Sequence, residues 1–274
     1  MSGDDKRYAR VLTIAGSDSG GGAGIQADLK TFAALGVYGA SVIAALTAQN
    51  TQGVTAIHDV PADFIAAQID AVFADLDVRA VKIGMLSQVA AIAAVAEGLD
   101  RHAAHNVVLD PVMVATSGDR LLAAGAVEAL RTRLIPRALV ITPNLAEAAA
   151  LLDAPLARDE ADMAKQARAL LALGAQAVLI KGGHGTGAES VDLLVDAGGV
   201  TRLAARRIAT RNTHGTGCTL SSALAAGLAK GLDLKAAARA AKDYVTDAIA
   251  GADTLEVGHG HGPLHHFVRQ WRSS

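Results

Sequence analysis

Short apolar runs alternate along the chain with longer segments whose apolar residues recur every three or four positions. "RVLTIAG" (10–16) predicts a strand. In "GIQADLKTFAALG" (24–36), Ile25, Leu29, Phe32 and Leu35 fall on one helical face. A strand within 39–49 and a shorter one within 54–60 follow. A helix is predicted over 61–76, with Pro61 in its first turn, where the missing N–H is no loss. Strands at 79–85, 106–112 and 138–144 then each precede a helix, at 88–104, 121–134 and 145–152. A helix near 159–173 leads to a strand at 176–183. "SVDLLVD" (190–196) and "RLAARRI" (202–208) predict a hairpin, and helices near 216–230 and 234–250 complete the body.

Runs such as "NVVLD" and "AVLIK" are apolar throughout rather than alternating. Strands of that kind are buried on both faces, which predicts an α/β fold with a mostly parallel sheet between helices. No Pro/Ser-rich linker and no long repeat interrupts the pattern. One domain over 1–274 is expected, with loose ends at 1–9 and 268–274.

Composition narrows the function classes. Aromatics are only 3% of the 274 residues, so aliphatic side chains must fill the core. A formal net charge of −2 gives no electrostatic case for binding nucleic acid or an acidic membrane surface. A single cysteine allows no internal disulfide and no CxxC metal or redox motif. The start, "MSGDDKRYAR", lacks the basic and apolar regions of a signal peptide, and "VAAIAAVA" (89–96) is too short for a membrane span. A cytoplasmic protein is expected.

In parallel sheets, ligands bind at the carboxyl ends of the strands. Asp18, Gln49, Met85, Asp110, Asn144, Lys181 and the turn 215–218 all fall at such ends or at helix starts. In "GSDSGGGAGIQAD" (16–28), glycines between a strand and a helix let backbone N–H groups approach a ligand. The spacing is neither a dinucleotide fingerprint nor a Walker A loop; a plain βα loop is the alternative. "HGTGCT" (214–219) places Cys218 at a helix start. The field there favours an anion and is expected to lower a thiol's pKa, making Cys218 a candidate base or nucleophile. A small cysteine in a tight turn is the alternative. Asn144 and Glu147 in "TPNLAEAAALL" have capping-box spacing, which is the default reading, and a role toward Mg²⁺ through its waters is the alternative. Lys181, followed by two glycines, can reach phosphate oxygens or simply snorkel from a strand end. Asp110 could hold a cation or form an Asx-turn. The histidines of "GHGHGPLHHF" (258–267) have no supporting carboxylates or cysteines, so a solvated tail is expected there.

Together these motifs resemble the ribokinase-like family of small-molecule kinases. Its members carry a turn of the form D/N-T-x-G-x-G-D, and here Asn212, Thr213, Gly215 and Gly217 lead to Cys218 in the last position. A cysteine there is similar to the branch that phosphorylates hydroxymethylpyrimidine in thiamine synthesis. "AGSDSGGGAGIQADLKTF", "ALTAQNTQGV", "VKIGMLSQ", "VVLDPVM", "SGDRLL", "KGGHG" and "DTLEVGHGHGPLHHF" extend the resemblance over residues 10–267. One departure is "SDSGGGAG", where the family often has "SDPSGGAG".

The resemblance implies a three-layer α/β/α sandwich, ATP as co-substrate, Mg²⁺ and a homodimer. It implies an aminopyrimidine alcohol and its monophosphate as successive acceptors. Gln49 would meet the amino group and ring nitrogen, with Ala23, Met85 and Val112 lining the ring pocket and Asp28 ordering the loop over it. Cys218 would be the base. Gly215 and Gly217, with Thr213 and Thr216, would hold the transferring phosphoryl, Lys181 would reach the phosphates, and Asn144, Glu147 and Asp110 would place the metal. Three rivals stand beside this reading: a pyridoxine or pyridoxal kinase of the same fold, a non-catalytic pyrimidine sensor, and a cysteine hydrolase pairing Cys218 with a histidine such as His214.

Overall fold

The computed structural model describes residues 8–114, 121–183 and 187–271. Among these, nine strands form one sheet: β1 (Arg10–Asp18), β2 (Tyr38–Asn50), β3 (Gly53–Asp59), β4 (Ala80–Ile83), β5 (Val107–Leu109), β6 (Val140–Ile141), β7 (Ala177–Lys181), β8 (Glu189–Asp196) and β9 (Gly199–Arg206). Their order is β3-β2-β1-β4-β5-β6-β7-β8-β9. The six strands from β2 to β7 are mutually parallel, while β3, β8 and β9 join by antiparallel pairing. The expected hairpin is the β8–β9 pair.

Side chains alternate across the parallel strands. Leu12, Ile14, Val81, Ile83, Leu109 and Ile141 face one core. It is closed by α2 (Ala62–Asp75), α3 (Val89–Arg101), α4 (Ala126–Ala129), α5 (Leu145–Leu152) and α6 (Glu160–Leu171). Val11, Ala80, Val108, Val140 and Leu179 face the other. That core is closed by α1 (Gly24–Ala34), α7 (Thr216–Ala229) and α8 (Leu234–Ala250). Burial on both faces is why the strand sequences lack polar alternation. Helix α7 is the centre of its layer: every residue from Thr219 to Ala229 is buried. Its Ala, Gly and Ser content lets it lie close to the sheet.

Three sequence expectations need correction. The helix expected over 121–134 begins only at Ala126, behind Gly125 in a left-handed conformation, and widens to a π turn over Leu130–Leu134. The segment 258–267 is not a solvated tail. Leu264, His265 and His266 are buried, the Tyr244 hydroxyl donates to the His266 carbonyl at 2.7 Å, and His261 N donates to Thr51 O at 3.0 Å. Burial pushes the His266 imidazole down to about 4, so it packs as a neutral ring. The described part of the expected loose C-terminus, 268–271, is exposed at Arg269, Gln270 and Trp271 yet is tied down, with Arg269 on Asp247 and Gln270 on the Ala34 carbonyl. Trp271 stacks on Phe267 with ring centroids 5.1 Å apart.

Candidate active site

The parallel strands end beside a cleft of about 880 Å³ bounded by the loop after β1, the end of β2 and the start of α7. Asp18, the last residue of β1, organises one wall. Its carboxylate accepts from the backbone N–H of Gly20, Gly22 and Ala23 at 2.8–3.0 Å, and His214 Nε2 lies 2.9 Å away. These bonds hold its pKa below the ordinary carboxylate range despite the opposing effect of burial. The glycine-rich loop is therefore a fixed ring of amides, not a flexible link. The sequence shows Asp18 at a strand end but gives no sign of this role.

Gly215 caps α7 with φ +82°, a left-handed backbone that side chains disfavour. A β-carbon there would also stand 1.9 Å from the Gly22 carbonyl oxygen. Two requirements, one conformational and one steric, thus fix glycine at this position. The contact also locks the turn against the β1 loop. Thr216 Oγ1 donates to the Thr213 carbonyl at 2.7 Å, closing the turn from the other side. The amides of Gly217 and Cys218 lie in the first helical turn, where intrahelical acceptors are lacking.

A charged group converges on this helix start. Lys181 Nζ, at the end of β7, lies 2.7 Å from Asp110 Oδ1 and 3.8 Å from Glu147. A β-carbon on Gly217 would meet Lys181 Nζ at 3.1 Å and Asp110 Oδ2 at 3.4 Å. Lys181, Asp110 and Gly217, drawn from three separate motifs, therefore share one corner of the cleft. The carboxylates outweigh burial and keep the Lys181 ammonium charged. Asp110 is held below its ordinary range by Lys181 and Lys82, helped by Thr142 Oγ1 at 2.9 Å. Glu147 goes the other way: burial, reinforced by Asp110, pushes it up to about 7.

Asn144 and Glu147 form the capping box of α5. Glu147 N donates to Asn144 Oδ1 at 2.8 Å, and Asn144 N donates to Glu147 Oε2 at 2.7 Å. The Asn144 side-chain oxygen is thus already committed to the helix. No group of three or more His, Cys, Asp or Glu side chains among the described residues is arranged to cage a metal ion.

Cys218 lines the cleft and is partly accessible. The expected lowering of its pKa does not occur. Surrounding protein atoms desolvate the thiolate, Asp28 and Asp110 repel it, and together they push the thiol up to about 11 despite the attraction of Lys82. Ala23, Gln49, Met85, Val112, Thr213 and Thr216 also line the cleft. Gln49 Nε2 comes within 3.5 Å of His214 Nε2.

Asp28 is the clear misplacement. It lies wholly out of solvent and does not order a loop over the cleft; it pairs with Lys82 Nζ at 2.9 Å. Its position on α1 turns it inward, toward β4 and α7. Lys82 escaped notice because one lysine in "AVKI" reads as a strand residue with a solvated head. Sequence reasoning gave Lys82 no role, and it met His214 only as a partner for Cys218 rather than as the partner of Asp18.

Comparison with known proteins bears on the whole chain. Residues 18–265 match the phosphomethylpyrimidine kinase family. A hydroxymethylpyrimidine/phosphomethylpyrimidine kinase of Rhizobium meliloti is 63% identical over 96% of this chain and 99% of its own. Among solved structures, an ADP complex of Bacillus subtilis pyridoxal kinase superposes with a TM-score of 0.90 at 38% identity, over 97% of this chain and 100% of that one. A phosphomethylpyrimidine kinase of Clostridium difficile gives 0.79 at 45% identity, over 89% and 100%. With the match covering both walls of the cleft, the chain belongs to the phosphomethylpyrimidine kinase family.

Proposed function

We propose that this chain transfers the γ-phosphoryl group of ATP to the alcohol of 4-amino-5-hydroxymethyl-2-methylpyrimidine, and then to the resulting monophosphate, within thiamine synthesis. The observation that carries this reading is the corner where Lys181 and Asp110 meet Gly217 at the start of α7. Phosphoryl transfer asks chiefly for positioning and neutralisation of charge. Lys181 supplies a fixed cation, and the amides of the first α7 turn supply donors for the transferring oxygens. Cys218 sits beside them, where its thiolate form, once the thiol has released its own proton, meets the attacking hydroxyl and takes up that proton. The monophosphate is already anionic and needs no such acceptor.

Gln49 carries a donor and an acceptor on one amide, which suits the amino group and adjacent ring nitrogen of an aminopyrimidine. That feature, with the names of relatives more than half identical to this chain, favours the aminopyrimidine over pyridoxal. The charged corner has no use in a bare sensor. His214 bonds Asp18, which gives it a structural task and weakens the hydrolase reading.

Mg²⁺ is usually held by one or two carboxylates together with substrate phosphates and water, so the lack of a protein cage among the described residues is compatible with it. Asp110 and Glu147 fit that role; Asn144, committed to its cap, would act only through water. When bound, the ion would neutralise phosphate charge. We also take the working form to be a cytoplasmic homodimer. Leu46 and Ile57, on the outermost strand pair, are left exposed and available to a second copy.

The test is ADP release measured with the aminopyrimidine alcohol, its monophosphate and pyridoxal side by side. Turnover of the first two with the highest kcat/KM is expected. Preference for pyridoxal, or no turnover at all, would overturn the reading.

A further inference from the structure

Lys82 and Asp28 are both wholly buried, yet neither touches the cleft's open volume. Lys82 shares its strand face with Ala80, so it projects into the layer of α1 and α7. There its Nζ lies 2.9 Å from both oxygens of Asp28. The same carboxylate accepts from Thr13 Oγ1 at 2.6 Å and from Ser222 Oγ at 2.7 Å. One acid on α1 thus ties together β1, β4 and α7. Ser222 stands one turn after Cys218, so the two share a face of α7.

A buried ion pair is a weak source of stability, because removing two charges from water costs as much as their attraction returns. An apolar pair of similar volume would fill the space as well. The placement suggests a use for the charge. The groups that bear on the Cys218 sulfur are Lys82 from β4, Asp28 and the Gly24 amide from α1, Asp110 from beyond β5, and Lys181 from β7. Among these, Lys82 is the leading attraction for a thiolate.

We propose that Lys82, anchored by Asp28, is a positioning residue for phosphoryl transfer to the alcohol: its ammonium, held in the layer of α1 and α7, supplies Cys218 with a fixed positive charge, while Asp28 fixes, through Ser222, the helix turn that carries the sulfur. This rests on Cys218 being the group that meets the alcohol. The test reads the thiol without substrate, so the two ideas fail separately.

Cys218 is the only cysteine, so iodoacetamide reports on it alone. The thiolate sulfur forms a bond to the acetamide carbon as iodide leaves, and the rate tracks the thiolate fraction. At one mildly alkaline pH, Lys82→Met should slow alkylation by roughly tenfold or more, the effect of one pKa unit. Asp28→Asn, which removes a negative charge, should quicken it. Mere loosening of the fold would expose the sulfur and quicken both. Asp28→Asn/Lys82→Met, with no unpaired buried charge, should be slower than Asp28→Asn alone; this comparison decides if the single lysine variant does not fold. In the Lys82→Met chain, turnover of the alcohol should also fall more than turnover of the monophosphate. Alkylation of Lys82→Met as fast as the wild type or faster, or a double variant no slower than Asp28→Asn, would overturn the proposal.

Discussion

Lys82 and Lys181 make an instructive pair. Each stands on a parallel strand and is held by a carboxylate, at 2.9 Å for Asp28 and 2.7 Å for Asp110. In both cases the opposite charge outweighs burial and keeps the ammonium protonated. They differ in what lies beyond. The Lys181 side chain keeps 13% of its surface open to the cleft, whereas Lys82 and its partner have none. Lys181 can therefore trade part of its bond to Asp110 for a ligand's oxygens. Lys82 can act only through its neighbours. Equal pairing chemistry thus leaves one ammonium open to the cleft at a strand end and seals the other away from it.

That contrast is open to attack by substitution. Lys181→Met should have the largest effect, a loss of about 10²–10³ in kcat on both the alcohol and the monophosphate, the scale for removing one donor from a transition-state clamp. Steady-state rates on the two acceptors check it; a loss confined to one would separate Lys181 from the shared phosphoryl group. Lys82→Met should instead cost stability, about 3–5 kcal/mol, because it strands a buried carboxylate. Urea unfolding should show most of that loss recovered in Asp28→Asn/Lys82→Met, and a single variant as stable as the wild type would contradict the picture. A smaller effect concerns Glu147. Its carboxyl is raised from 4.5 to about 7, so the folded chain keeps a proton that the unfolded chain releases. The stability tied to that proton is complete below the ordinary value and is lost as pH rises through 7. Glu147→Gln should melt above the wild type in alkaline buffer and match it in mild acid. An equal offset at both would contradict the assignment.

Much of this was legible in the residues, and the gaps have physical causes. Unbroken apolar runs such as "AVLIK" announced a sheet covered on both sides, and their polar ends marked the edge where the cleft lies. Gly215 and Gly217 announced the helix start, and the polar strand ends at Lys181 and Asp110 lie beside it. What the chain alone withheld was direction. Asp28 sits in a motif with the glycine loop, but its place on α1 turns it toward Lys82 instead of the cleft. Helix-end chemistry predicted a lowered thiol pKa, but it could not weigh desolvation by neighbours distant in sequence, and those won. The histidine-rich segment reads as solvated because its anchors, Thr51, Asn212 and Tyr244, lie far away in the chain.

One measurement bears most directly on how the site divides its labour. Cys218→Ala should cut the initial rate on the alcohol by roughly 10² or more, the range expected for a general base, while the rate on the monophosphate falls far less. Equal losses on the two acceptors would show that the sulfur only shapes the pocket, and the role assigned to it, with Lys82 behind it, would be wrong.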